Sequence, residues 1–130
     1  MILDASAALD FLVEEGSRGR WVRQLVAQEA ELAAPHLIDV EVASGLRKAL
    51  ARRDLSKRRA SDALADFRDF ALTRYPVTGL LQRIWTLRGS LTPYDAAYVA
   101  LAEALGDALV TTDRSLARSH GHRAEIIAPA

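Results

Sequence analysis

Apolar positions along the chain fall into short runs and into longer stretches with helical spacing. The short runs predict five strands, at residues 1–4, 31–35, 75–78, 107–113 and 124–129. The longer stretches predict seven helices, at residues 5–16, 20–30, 36–53, 55–74, 79–89, 91–105 and 114–121. Ser6 is the expected N-cap of the first helix and Gly16 its C-terminal stop. Because strands alternate with helices, the pattern favours an α/β fold with a parallel sheet covered on both faces.

The helix predicted at 91–105 is apolar on all sides, which is typical of a helix buried on several faces. Its start is clearly marked by Thr92 as N-cap, Pro93 at the first helical position and the carboxylate of Asp95 at the third. Capping the helix is one role for Asp95, worth about 1 kcal/mol. Removing a carboxylate from water costs several kcal/mol, so capping alone suffices only if the helix start stays wet.

Length and composition set limits on the class of protein. The 130 residues show no linker, repeat or low-complexity tract, so one domain spanning residues 1–130 is expected. There is no cysteine, which excludes disulfides, thiolate metal sites and a cysteine nucleophile. No apolar run approaches the length of a membrane span and no signal peptide is evident, so we expect a cytoplasmic protein without membrane contact.

The net charge is zero, but the basic residues are unevenly distributed. Between residues 47 and 59 a single acid, Asp54, accompanies seven basic residues: Arg47, Lys48, Arg52, Arg53, Lys57, Arg58 and Arg59. Such a run is most often the solvated side of a helix pair. It also suits contact with a phosphate backbone.

Two carboxylates follow predicted strands at equivalent places. Asp4 closes the first strand and Asp113 closes the fourth, and the carboxyl ends of parallel strands meet at one edge of the sheet, where ligands bind. Each could simply cap the helix that follows. Together with Asp95, however, they would repel one another in one cleft unless a cation neutralised them. Because only oxygen ligands are available, a hard divalent ion is the expected neutraliser.

A fourth acid is expected from the helix at 36–53, where Asp39 and Glu41 are the candidates. The two lie about 200° apart around a helix, so they cannot both point into the cleft. Periodicity does not choose between them, because each shares its face with apolar residues.

Four stretches in the order "MILDASAAL", "HLIDVEVASGLRKAL", "LTPYDAAYVALAEALG" and "LVTTDRSL" resemble the PIN-domain nucleases, specifically the VapC-type toxins of bacterial toxin–antitoxin pairs. The resemblance spans essentially the whole chain. It implies a three-layer α/β/α sandwich with a small, mostly parallel sheet, a Mg²⁺ or Mn²⁺ site and ribonuclease activity. It also implies a VapB-type antitoxin partner and a homodimer.

The resemblance also assigns site residues. It selects Glu41 over Asp39, so the expected catalytic and metal-binding set is Asp4, Glu41, Asp95 and Asp113. Ser6 and Thr111 match hydroxyls that orient the acids or a metal-bound water. Some relatives carry a further acid just after the position of Asp113, where this chain has Arg114, Ser115 and Leu116, so the number of ions stays open.

From these residues we predict metal-dependent hydrolysis of RNA phosphodiester bonds, in which the ion activates a water and neutralises charge in the transition state. The candidate RNA contacts are Arg114, Arg47, Lys48, Arg52 and Arg53.

Three other classes are considered. A phospho-accepting receiver domain needs a lysine near the last strand, and no lysine follows Lys57. A haloacid-dehalogenase-like phosphatase needs an aspartate where Ser6 stands. A non-catalytic module that binds RNA or protein on the same fold remains the alternative, to be distinguished by metal-dependent turnover.

Overall fold

The computed structural model describes all residues, 1–130, as a sheet of five strands with seven α-helices. The strands are β1 (Ile2–Leu3), β2 (Ala33–Pro35), β3 (Thr73–Tyr75), β4 (Leu109–Val110) and β5 (Ile126–Ile127). The helices are α1 (Ala5–Val13), α2 (Ser17–Ala27), α3 (Ile38–Ala51), α4 (Lys57–Asp69), α5 (Leu81–Thr86), α6 (Pro93–Leu105) and α7 (Arg114–Ala117). Two 3₁₀ turns, Thr78–Leu80 and Leu87–Gly89, flank α5.

All five strands are parallel and are arranged in the order β3-β2-β1-β4-β5. In the central strand, Ile2 pairs with Ala33 of β2 on one side and with Leu109 of β4 on the other. The chain first moves outward from β1 to β3 and then crosses back to β4 and β5. Since parallel crossovers are right-handed, this reversal places α1–α4 on one face of the sheet and α5–α6 on the other. The expected α/β/α sandwich is confirmed, with an entirely parallel sheet.

Helix α6 forms the centre of its layer. Residues 96–102 are all buried because α6 lies across β1, β2 and β4 and is covered by α5. The predicted ends are confirmed: the Thr92 hydroxyl accepts the Asp95 N–H, and Gly106 ends the helix in the left-handed conformation with φ 62°. The apolar sequence of this helix therefore reflects contact with neighbours on most sides.

The predictions of Ser6 as N-cap and Gly16 as C-terminal stop of the first helix are wrong, whereas the alternative that Asp4 caps this helix is confirmed. Asp4, with extended backbone, is the N-cap of α1, and its Oδ1 accepts the Ala7 N–H at 2.8 Å. Ser6 lies inside the first turn. Helix α1 already ends at Val13, and Gly16 instead begins α2 as its N-cap. The strand is shorter than the apolar run suggested, so the last residue of that run becomes the helix cap.

The segment around residue 73 also differs from the prediction. Helix α4 ends at Asp69 and β3 begins at Thr73, whereas the helix was expected to reach residue 74 and the strand to span 75–78. The Thr73 N–H donates to Leu32 O beside the neighbouring strand. Pro76 follows directly after the strand, at the open edge of the sheet, where a missing N–H breaks no pairing with β2. Here pairing with the sheet outweighs local helical periodicity.

A single cluster of 27 buried apolar residues joins the sheet to both helical layers. None of the helices has the length and apolarity needed to cross a bilayer.

Candidate active site at the carboxyl edge of the sheet

The four acids predicted as site residues all lie at the start of a helix. Asp4 and Asp113 are the N-caps of α1 and α7, while Glu41 and Asp95 lie in the first turns of α3 and α6. Helices that follow a parallel strand begin at its carboxyl edge, and α6 begins there too because it leads back into β4. The positive ends of four helices therefore surround the acids and favour their ionised forms.

Asp4 is held by hydrogen bonds on both of its carboxylate oxygens. Oδ1 accepts from Ser6 Oγ at 2.7 Å and from the Ala7 N–H at 2.8 Å, and Oδ2 accepts from Thr111 Oγ1. The two hydroxyls are 3.2 Å apart, and Thr111 Oγ1 also accepts the Asp113 N–H at 3.0 Å. These contacts join the end of β1 to the loop after β4. Ser6 and Thr111 therefore orient Asp4, and Thr111 also fixes the backbone of Asp113.

Burial dominates the electrostatics of Asp4, which is only 5% exposed. Removal from water raises the pKa of Asp4 from its ordinary 3.8 to about 6, and the charge of Asp95 adds to the rise. The hydrogen bonds from Thr111, Ala7 and Ser6 oppose the shift without cancelling it. A shift of about two pKa units means that keeping Asp4 ionised at neutral pH costs the fold ~3 kcal/mol.

Asp95 links the remaining acids through its charge. Burial raises the pKa of Asp95, and the negative charge of Asp113 raises it further. Burial also raises the pKa of Glu41, and the charge of Asp95 adds to that rise. Asp95 receives no side-chain hydrogen bond that would stabilise its charged form, unlike Asp4 and Glu41. The charges of the four carboxylates are thus coupled, and Asp95 is a member of each coupled pair.

Glu41 and Asp39 have different partners, which resolves the alternative that periodicity left open. Glu41 Oε1 accepts a 2.7 Å hydrogen bond from the Tyr98 hydroxyl, on the same helix as Asp95. Asp39 instead forms an ion pair with Arg74, whose Nε and Nη2 both donate to its carboxylate at 2.8–2.9 Å. Glu41 is therefore the α3 acid brought to the cluster, as the family resemblance indicated, and Asp39 has a structural partner elsewhere.

Tyr98 is a site residue that the sequence reading missed. It is 1% exposed, and its hydroxyl is the donor that holds the Glu41 carboxylate. Burial and the neighbouring negative charges raise its pKa, so it remains a neutral donor. The available signal was its position one helical turn after Asp95, on the same face of an alanine-rich helix. A tyrosine there carries its polar tip toward the same cleft.

The donor chemistry of the cluster suits a hard cation, although the acids are not gathered into a ready-made cage. No group of three or more acidic or histidine side chains lies close enough together to hold an ion as the side chains stand. Like charges without a counter-ion are expected to stay apart. Asp4 already accepts three hydrogen bonds, which leaves one acceptor position, on Oδ2, from the four of a carboxylate.

The predicted basic residues divide into groups around the acids. Lys48 and Arg52 line a groove of about 400 Å³ together with Glu41 and Ser6. Arg47 and Arg53 do not line it. Arg114 lines a second cavity, of about 520 Å³, together with Asp113 and Trp21.

Comparison with known proteins identifies the family. Residues 1–120 match the profile of the PIN domain, which therefore covers most of the chain. The chain belongs to the PIN-domain family. The resemblance seen in the sequence is confirmed, and PIN-domain ribonucleases of the VapC type generally depend on a divalent metal.

This PIN-domain chain is similar to ribonuclease VapC9 of Mycobacterium tuberculosis, with 51% identity over 116 residues that cover 89% of this chain and 87% of the relative. Two solved structures share its fold. One is the crystal structure of M. tuberculosis VapC20, described as a sarcin-ricin loop cleaving toxin, with a TM-score of 0.68 and 17% identity over 89% of this chain and 92% of that chain. The other is a toxin–antitoxin complex from Klebsiella pneumoniae, with a TM-score of 0.65 and 19% identity over 97% of this chain and 94% of that chain.

The electrostatic coupling predicts how the PIN-domain chain responds to loss of Asp95. In EDTA at pH 7.5, Asp95→Asn should leave the melting temperature unchanged or raise it by up to about 3 °C, because one repelling charge is removed. Asp4, Glu41 and Asp95 have raised pKa values in the folded state, so keeping them ionised lowers the free energy of unfolding. This loss of stability is complete above the raised pKa values and disappears as pH falls toward 4. The difference should therefore vanish in the same titration at pH 4. The exposed Asp62→Asn serves as control, and a large fall in melting temperature at pH 7.5 would mean that Asp95 mainly caps α6.

The hydroxyl of Thr111 gives a second prediction. Thr111→Val keeps the shape of a fully buried side chain but removes the donor to Asp4 and the acceptor for Asp113. We expect the free energy of unfolding in urea to fall by about 1–3 kcal/mol, the cost of leaving buried polar groups unsatisfied. The neighbouring Thr112→Val is the matched control, since the Thr112 hydroxyl makes no hydrogen bond. Equal stability of the two variants would contradict the role given to Thr111.

Proposed function

We propose that this PIN-domain chain is a divalent-metal-dependent endoribonuclease that acts as the toxin of a toxin–antitoxin pair. The proposal rests chiefly on one observation: four carboxylates, coupled by their charges, lie at one sheet edge of a chain that is 51% identical to ribonuclease VapC9. Such a cluster destabilises the metal-free fold. A cation bound among the four carboxylates would neutralise their repulsion, which explains the presence of these acids at one edge of the sheet.

The residues proposed to hold Mg²⁺ or Mn²⁺ are Asp4, Glu41, Asp95 and Asp113, directly or through water. They offer only carboxylate oxygens, the donors that both ions prefer. A bound ion would supply an activated water and neutralise negative charge on the phosphate. It would also reverse the upward pKa shifts that burial and repulsion impose on the acids.

The other site residues act through these acids. Ser6 and Thr111 fix both oxygens of Asp4 and thereby direct its free Oδ2 position. Tyr98 holds Glu41 toward α6. Arg114 is exposed directly after Asp113 and is proposed to contact the RNA phosphates next to the site. The resemblance also suggests a product with a 5′-phosphate.

Cleavage of RNA tests the proposed activity. Purified protein free of antitoxin is incubated with pooled cellular RNA in Mn²⁺, Mg²⁺ or EDTA, and Asp4→Asn controls for contaminating ribonuclease. We expect discrete fragments that require metal and are absent with the variant. If the wild type and Asp4→Asn give the same pattern, the chain is not this nuclease, and the alternative of a non-catalytic binding module gains support.

A matched pair on α3 tests which acid serves the site. Glu41→Gln should lower the cleavage rate about 100-fold or more, as expected for loss of a ligand to the ion that would neutralise negative charge in the transition state. Asp39→Asn changes the same chemistry two residues earlier and should leave the rate within about twofold, while lowering stability through the broken contact with Arg74. Melting temperatures of both variants separate the two effects. Equal loss of activity would contradict the assignment of Glu41.

Two protein partners are proposed. A VapB-type antitoxin is a separate chain, and the similar fold in the K. pneumoniae toxin–antitoxin complex supports such a partner. A second copy of this chain is the other. Leu81 and Trp85 lie one turn apart on α5, and both side chains are more than half exposed. We propose that this apolar pair contributes to a twofold homodimer.

Light scattering of the purified chain tests the dimer. The wild type should have the mass of two chains at micromolar concentration, and Trp85→Asp should shift it to one. Leu64→Asp, at another exposed leucine on α4, is the control and should remain dimeric. A monomer at every concentration would exclude the homodimer.

A further inference from the structure

Lys48 of helix α3 and Arg52, the C-cap residue directly after it, are two cations on the side of the helix that carries Glu41. A groove of about 400 Å³ begins at Glu41 and Ser6 and extends between α1 and α3. Its lining further along includes Lys48, Arg52 and, at the far end, the single acid Asp54. The groove therefore leads away from the acidic cluster into a basic region.

Helix geometry explains why only part of the basic run faces this groove. Lys48 and Arg52 follow Glu41 by seven and eleven residues, so both point within about 20° of its direction, roughly 10 and 16 Å further along the axis. Arg47 lies about 120° away around the helix. Arg53 lies beyond the end of α3, in the left-handed conformation with φ 61°. Of these exposed cations, Lys48 and Arg52 therefore lie on the side of α3 that carries Glu41, and Arg47 and Arg53 do not.

Lys48 and Arg52 are also free to bind an anion. Both are exposed, and neither takes part in any of the six salt bridges of the chain. Arg59, from the same basic run, is in contrast paired with Glu15. Because surface cations without an acidic partner lose little on binding a phosphate, these two are suited to a polyanion.

The groove is lined by small and apolar residues as well as by polar ones. Leu9, Ala49 and Gly45 belong to its lining, and a Cβ at Gly45 would come within 2.3 Å of Leu9 Cδ1, so the missing side chain lets α1 and α3 approach closely. The hydroxyl-bearing Ser44 lies in the same lining. Cations along such a groove suit phosphates, and contacts to phosphates carry no sequence information.

We infer that Lys48 and Arg52 bind the phosphate backbone of the RNA strand on one side of the scissile bond, and that Arg47 and Arg53 do not. The inference rests on the proposed ribonuclease function, since the path of the RNA is taken to begin at the carboxylate cluster. It assigns phosphate binding, which does not depend on the RNA sequence, to two of the seven basic residues between 47 and 59.

Two double variants with the same change in charge test this inference. Lys48→Gln/Arg52→Gln and Arg47→Gln/Arg53→Gln are compared with the parent protein, all three carrying Asp4→Asn so that the RNA is not cut. The probe is a fluorescent 20-nucleotide single-stranded RNA of mixed sequence, and a second RNA of unrelated sequence is measured alongside. Binding is followed by fluorescence anisotropy at several salt concentrations, with melting temperatures as a check on folding.

The Lys48→Gln/Arg52→Gln variant should bind both RNAs roughly tenfold more weakly at low salt. Its slope of log affinity against log salt should be smaller by about 1.4, the value for two phosphate contacts on a single strand. The Arg47→Gln/Arg53→Gln variant should change binding less than twofold. In the cleaving protein, Lys48→Gln/Arg52→Gln should raise KM and leave kcat unchanged. Equal effects of the two double variants, or no effect of either, would overturn the inference.

These outcomes are separable from the proposed function. If the wild type cleaves RNA but the two pairs behave alike, the ribonuclease stands and the backbone path along α3 is wrong. If the wild type does not cleave but Lys48→Gln/Arg52→Gln still selectively weakens binding, the path stands and the chain is an RNA-binding module. If neither cleavage nor binding is found, both fail.

Discussion

The buried carboxylate of Asp4 is the constraint on which this structure depends most. It lies at the point where the order of the sheet reverses, between β1 and β4, and its hydrogen bonds join residues more than 100 positions apart in the chain. A buried charge requires such partners, since an unsatisfied one would cost several kcal/mol. The sequence supplies them as Thr111 after β4 and Ser6 in α1. The same contacts that make Asp4 tolerable also fix how the two central strands end.

The other acids reach the same edge because helices begin there. Residues 96–102 of helix α6 are all buried, because the helix packs against the sheet and against α5. This packing fixes the position of the helix. Packing of that kind gives Asp95 and Tyr98 defined directions. Tyr98 then controls Glu41 across the cleft, and helix dipoles offset part of the repulsion among the carboxylates. Burial strengthens the electrostatic interactions of the carboxylates and also raises the free-energy cost of keeping them ionised.

Much of this arrangement could be predicted from the sequence. The strand-end acids Asp4 and Asp113 and the capped start of α6 follow from local patterns, because apolar runs, N-caps and a proline at the first helical position act within a few residues. Their convergence follows from the parallel sheet. These features are encoded by short segments or by topology, so periodicity and cap chemistry suffice to find them.

Other features depend on contacts between distant segments. Periodicity does not choose between Glu41 and Asp39, and their different contacts are with Tyr98 and Arg74, which lie 57 and 35 residues away. The start of β3 is set by pairing with β2, against a helical pattern that continues past it. The division of the basic run requires knowing which face of α3 meets α1. Periodicity within one helix contains none of this information.

We propose that Asp4, Glu41, Asp95 and Asp113 form one cation site. A crystal grown with Mn²⁺ and measured for anomalous scattering shows where the ion binds. We expect a peak within coordination distance, about 2.0–2.2 Å for carboxylate oxygens on a small divalent ion, of Asp4 Oδ2 and of at least one of the other three acids. No peak at saturating Mn²⁺, or a peak only on acids outside this edge such as Asp10 or Glu14, would contradict it.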